Sequence, residues 1–135
     1  MRPKAWLEFE VAETTFVADR WVVGGRCFHL PLYLDDEFTA VYRYLPPAPG
    51  HEGETTERTA AEPVALRIRS IELFGRTIPV LFPGCGGRLT LEGDAGSVAR
   101  RDVLAAPMDE VTARRRVRDE QVATWGRPTK GRTRS

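Results

Sequence analysis

Two cysteines and two histidines are all that this 135-residue chain offers to thiol, imidazole or soft-metal chemistry. Cys27 and Cys85 form no C-x-x-C pair, and His51 falls in a Pro- and Gly-rich stretch away from Cys27-x-His29, so no metal site and two free thiols are expected. Apolar runs are short, Ile78 to Phe82 being interrupted by Pro79, which excludes a membrane-spanning helix and makes a membrane partner unexpected. Met1-Arg2-Pro3-Lys4 lacks the apolar stretch and small-residue cleavage site of a secretory leader, so a cytoplasmic location is the expectation. There is no G-x-x-x-x-G-K-[ST] loop to cradle nucleotide phosphates and no legible Ser-His-Asp arrangement. The expectation is a protein that is not an enzyme and carries no cofactor.

What is present is a globular composition, with 41% hydrophobic and 29% charged residues. The net charge of +1 conceals a split: from Arg101 onward nine basic residues oppose five acidic ones, whereas the first hundred residues hold eleven basic against fourteen acidic. The body is mildly acidic and the C-terminal part basic, a distribution that permits a polyanion-seeking tail.

Strand formers dominate the first ninety-odd residues. Trp6 to Val11 reads as a strand, and Phe16 to Phe28 as two strands meeting at a turn or bulge at Gly24-Gly25. Phe38 to Tyr44 alternates, with Phe38, Ala40, Tyr42 and Tyr44 on one face. Leu45 to Pro63 is rich in Pro, Gly, Glu and Thr and is expected as a long surface loop. Val64 to Phe74 alternates again, placing Val64, Leu66, Ile68 and Ser70 together, and Leu89 and Leu91 point inward after the turn at Pro83 to Gly87. Short strands without a helix through Gly93 argue for an all-β barrel or sandwich over residues 5–95. A connector and helix are expected over 96–126, the helix running from Asp109 to Trp125, and a disordered basic end over 127–135.

Phe16, Val22, Gly25-Arg26, Leu32, Leu34 and Asp36-Glu37-Phe38, followed by Ile71-Glu72-Leu73-Phe74, Gly84, Leu89, Leu91 and Gly93, fall in an order similar to the second domain of translation GTPases such as elongation factor Tu. The resemblance implies a closed antiparallel six-stranded β-barrel, without the GTPase domain. It also implies a binding role, because the family's barrel helps to hold the aminoacylated end of transfer RNA, and it places Glu72 and Phe74 in that pocket. The chain departs from the family where Gly75 and Gly86 replace an arginine and an asparagine of the pocket, and where Leu30 and Asp35 replace turn glycines. Arg76 is the residue placed to substitute for the lost arginine.

A second candidate surface is the basic segment of Arg114, Arg115, Arg116 and Arg118, continued by Arg127 and Lys130, which suits sequence-independent phosphate contacts. The competing expectation is that Val111, Val122 and Trp125 dock this helix on the barrel while its arginines face water or pair with nearby carboxylates. Asp35-Asp36-Glu37 is expected as a solvated turn. An RNA or ribonucleoprotein partner is the leading expectation and a protein partner the alternative, with the oligomeric state left open.

Overall fold

The computed structural model describes residues 5–45, 57–109 and 111–116. β1 (Ala5–Val17) and β2 (Arg20–Phe28) form an antiparallel hairpin. Its two-residue turn is Ala18-Asp19, with left-handed φ values of 51° and 63°, the geometry that matches the twist of the flanking strands. The break is therefore at Ala18-Asp19, and Gly24-Gly25 lies inside β2 opposite a bulge in β1 between Val11 and Glu13. Gly25 is required there, because a Cβ would collide with the Glu10 carbonyl oxygen and stand 2.9 Å from the Phe9 ring.

β3 (Leu32–Tyr33), β4 (Glu37–Tyr42), β5 (Glu62–Leu73), β6 (Arg76–Ile78), β7 (Val80–Leu81), β8 (Gly86–Glu92) and β9 (Val103–Met108) follow, then a helical turn, α1, over 111–116. Six of the strands close into a ring, β4-β9-β1-β2-β8-β5 and back to β4, with every pairing antiparallel. β6 extends the β5 hairpin, and β3 pairs with β7 in a small separate sheet. The all-β closed six-stranded barrel with a short C-terminal helix is thus the observed architecture, and closure leaves its six strands no free edge.

β9 extends the barrel past residue 95, into the segment expected as a connector. Val103, Leu104, Ala105 and Ala106 are all buried, so this strand has no polar alternation to betray it. Inside the ring, Phe9, Phe38, Leu66, Ile68, Ile71, Leu89 and Leu104 are fully enclosed, each apolar side chain of this size contributing about 1.5–3 kcal/mol. Register shifts reassign two faces. One between Ile68 and Ser70 gives the inward position to Ile71, and one between Phe38 and Ala40 sends Val41 into the core. Tyr42 consequently leaves the interior and packs outside the barrel with Trp6, Val103 and Ala105.

That outer cluster surrounds Glu8, only 1% exposed. Its Oε2 accepts hydrogen bonds from the hydroxyls of Tyr42 and, at 2.6 Å, Tyr44. Residues 57–59, from the segment expected as a loop, cover the site by continuing the β4 edge. Leu45 N–H donates to Glu57 O, Thr59 N–H donates to Arg43 O, and Tyr44 bridges Arg58. Residues 46–56 lie outside the described part.

Burial, followed by the hydrogen bond to the Glu8 carboxylate and its charge, pushes the Tyr44 hydroxyl up to about 12, and moves Tyr42 in the same direction. A tyrosine that ionises near 10.0 when free and near 12 when folded binds more protons in the native state across that window, so stability falls as pH rises through it. Thermal melts between about pH 9 and 12 should therefore show a declining Tm, and Tyr44→Phe should flatten the decline.

Candidate functional site

β1, β2, β8 and the β5–β6 hairpin enclose an open groove of about 840 Å³ on the outer face of the barrel. Counting outward from buried Val23 and Cys27, Gly24 and Arg26 point out of the barrel and Gly25 points in. The same alternation from buried Leu89 turns Gly86 and Arg88 outward and Gly87 inward. Gly25 pairs with Gly87, Gly24 with Arg88 and Arg26 with Gly86, so glycines meet on adjacent strands. Their inward positions are filled by core neighbours, a Cβ on Gly87 standing 3.1 Å from the Leu81 side chain. On the outward side the Glu13 side chain covers Gly24, whereas Gly86 is exposed and leaves backbone bare, so a flat ligand can approach the sheet there more closely than a side chain would permit.

Glu10 and Glu13 of β1, Glu72 of β5, Arg26 and Arg88 line the groove. Arg88 lies directly across the β5–β8 pair from Glu72. The carboxylates suit amino or hydroxyl donors, and the two guanidiniums suit phosphate or carboxylate. A second depression of about 340 Å³ shares Glu13, Gly24, Glu72 and Arg88 and runs on to Thr15 and Thr90.

Phe74 marks the rim. Leu73 pairs with Arg76, leaving Phe74-Gly75 as a two-residue turn with φ values of 52° and 76°. Gly75 adopts this conformation freely, whereas a phenylalanine in the left-handed region is strained. The strain is not repaid by burial, since the Phe74 side chain is 95% exposed. An aromatic ring is thus held in solvent at the groove rim by a strained turn.

Of the residues expected in the pocket, Glu72 and Phe74 line the groove, whereas Arg76 is exposed on β6 outside its lining. Arg26 and Arg88 supply the cations instead. The signal for them was strand alternation across the glycine pairs, legible only once the β2–β8 register is known.

In the basic segment, Arg114 and Arg115 are exposed, while Arg116 is turned against the barrel. Asp109 caps α1 by accepting from Thr112 N–H at 2.7 Å, and this backbone bond with the Thr112 side chain holds its carboxyl below the usual range. Ala113 is buried, which brings Arg116 onto Asp36 in a bidentate pair of 2.8 and 2.6 Å. Arg116 also donates to Pro31 O and stacks 4.6 Å from the Tyr33 ring centroid. Burial alone would lower the Arg116 guanidinium, but the hydrogen bond and charge of Asp36 outweigh it and raise it. Asp36 is therefore an anchor within the turn rather than a solvated carboxylate, while its neighbour Asp35 takes the left-handed φ of 71° where the family has glycine. Arg118, Arg127 and Lys130 lie outside the described residues, as does His51.

Cys27 is buried and its thiol donates to Leu30 O at 3.1 Å. Among the described residues no cluster of three or more His, Cys, Asp or Glu side chains could hold a metal ion, and no helix is long and apolar enough to cross a membrane.

No protein-family model and no curated protein sequence matches the chain. Among solved structures, the apo form of translation elongation factor SelB from Methanococcus maripaludis matches with a TM-score of 0.55 at 15% identity. The match covers 78% of this chain and 20% of that one, and it places the fold with translation-factor barrels.

The Asp36–Arg116 clasp is testable by a double-mutant cycle of Asp36→Ala and Arg116→Ala. Chemical denaturation should return a coupling energy of about 0.5–3 kcal/mol, as for partners in one buried charge network.

Proposed function

We propose that this chain is a non-catalytic binding module of the translation-factor type, and that its outer groove takes a single-stranded RNA end. The observation that carries the reading is Phe74, an aromatic 95% exposed on a strained turn at the groove rim. A base stacks on such a ring regardless of its identity. The backbone bared at Gly86 accommodates a flat nucleobase or ribose, Arg26 and Arg88 are placed for phosphate, and Glu10, Glu13 and Glu72 accept from amino or hydroxyl groups. The likeness to a translation elongation factor supports the same class of partner.

The carboxylates outnumber the guanidiniums around the groove, and Arg116 is already committed to Asp36. Both features favour a second reading, a protein partner that reuses the barrel as an adaptor or inhibitor surface. Pull-down from native extract separates the two, nuclease-sensitive recovery supporting RNA and nuclease-resistant recovery supporting protein.

For the RNA reading, fluorescence anisotropy with a short single-stranded RNA at low salt should give saturable binding. Phe74→Ala should weaken it about 5- to 140-fold, the worth of one stacked base. Replacing Arg26 or Arg88 by alanine should each reduce the salt slope by about 0.7. Absence of binding at low salt, or affinity indifferent to Phe74→Ala, would overturn the proposal.

A further inference from the structure

Away from the groove, on the outer face of β1, β9 and the end of β4, three aromatic rings stand at nearly right angles. Trp6 and Tyr42 are 5.9 Å apart at 84°, and Tyr42 and Tyr44 are 5.9 Å apart at 85°. The Glu8 carboxylate lies against both tyrosines, and a guanidinium occupies the space between the walls. Arg58 Cζ is 4.3 Å from the Tyr42 centroid and 4.7 Å from that of Trp6. Ring quadrupoles beside a buried carboxylate form an environment that selects organic cations, and a planar guanidinium can face a ring while aiming its edge at the acid.

The present occupant fills this cage incompletely. Arg58 Nη1 stands 3.8 Å from Glu8 Oε2, beyond hydrogen-bond distance, and its side chain is 34% exposed. Glu8 Oε1 is buried and accepts no well-aligned hydrogen bond, although Nε2 of the exposed His29 ring stands 3.1 Å from it. A buried carboxylate oxygen without a donor is costly, and a better-placed guanidinium would relieve it. Arg58 is held past the end of β4 by one β-bridge to Tyr44, made of the Leu45–Glu57 and Thr59–Arg43 backbone bonds, with Arg43 N–H also donating to Thr59 Oγ1, a pairing short enough to peel away while the six-stranded ring stays closed.

We propose that Trp6, Glu8, Tyr42 and Tyr44 form a guanidinium-binding cage for an arginine side chain on an extended segment of a partner polypeptide, with Arg58 as a displaceable internal occupant. The partner segment would take the place of residues 57–59 alongside residues 43–45, past the end of β4, its backbone pairing as theirs does and its arginine entering between the rings. The cage and the RNA-binding groove use different residues, so either reading can fail alone.

The probe is the acetylated, amidated tetrapeptide Glu-Arg-Thr-Ala, which copies residues 57–60, titrated into the full chain and into Arg58→Ala while the Trp6 indole N–H is followed by NMR. Arg58→Ala should show a saturable shift with affinity at least tenfold above that of the unmodified protein. Lysine in place of the peptide arginine should weaken binding at least fivefold, and Glu8→Gln added to Arg58→Ala should abolish it. Acetyl-arginine-amide should bind more weakly than the peptide if the extended backbone contributes; equal binding would instead mean a site for free guanidinium compounds and would overturn the polypeptide partner. In the unmodified protein, saturating peptide should accelerate hydrogen exchange at the Thr59 amide, whose acceptor Arg43 O the peptide takes over, while the Leu45 amide stays protected by the peptide backbone, a readout that does not depend on the variants folding. No saturable shift in folded Arg58→Ala together with unchanged exchange, or binding unaffected by Glu8→Gln, would overturn the cage and leave Arg58 as a fixed staple.

Discussion

Closure of the ring by β9 is the constraint on which the remaining structure depends. β9 pairs with β1 from Ala5↔Met108 to Glu10↔Val103 and with β4 from Ala40↔Ala105 to Tyr42↔Val103. Without it β1 and β4 would both present open edges, and Leu104, which fills the interior opposite Phe9, would be lost. The small side chain of Ala105 has an outer role as well. It sits between Glu8 and Ala40 in the ladder and leaves room for the rings that pack above it. Barrel closure and the outer aromatic cluster therefore rest on the same six residues.

Three bulges let this ring curve, and each relocates chemistry. The shift in β1 between Val11 and Glu13 allows Gly25 to press against Glu10 and lays the Glu13 side chain over Gly24, at the head of the groove. The shift in β5 restores Ile71 to the core, which turns Glu72 outward into that groove. The irregularity between Phe38 and Ala40, whose extra residue lies in β5, accompanies the change of face that leaves Val41 in the core and Tyr42 in the outer cluster. A bulge adds one residue to one strand and exchanges the faces beyond it, so the curvature of a small barrel and the placement of its surface groups have one physical origin.

The polar contacts divide into anchors and open groups. Asp36 and Arg116 are both largely enclosed and satisfy one another bidentately, which fixes α1 against the barrel. Glu8 is more deeply buried but only half satisfied. Glu72, Arg88 and Phe74 are the opposite case, accessible groups held in place by strand register and a tight turn rather than by burial. Local strain at Phe74 and the imperfectly bonded Oε1 of Glu8 are both departures from what stability alone would favour, and each marks a candidate binding surface.

The amino-acid sequence determined the strand-rich class, the inward Leu89 and Leu91 and the helix start at Asp109, because alternation and cap chemistry are local properties. It also placed Glu72 and Phe74 together through an ordered resemblance to a known barrel. It did not reveal β9, whose four consecutive buried residues lack period-two contrast, nor the inward turn of Arg116, whose partner Asp36 is eighty residues earlier. Arg26 and Arg88 join the groove, and Glu8, Tyr42 and Arg58 meet, only through strand pairing and bulges. Those pairings are long-range choices of register, and a one-residue difference in register sends every side chain to the other face, so only the closed tertiary structure decides them.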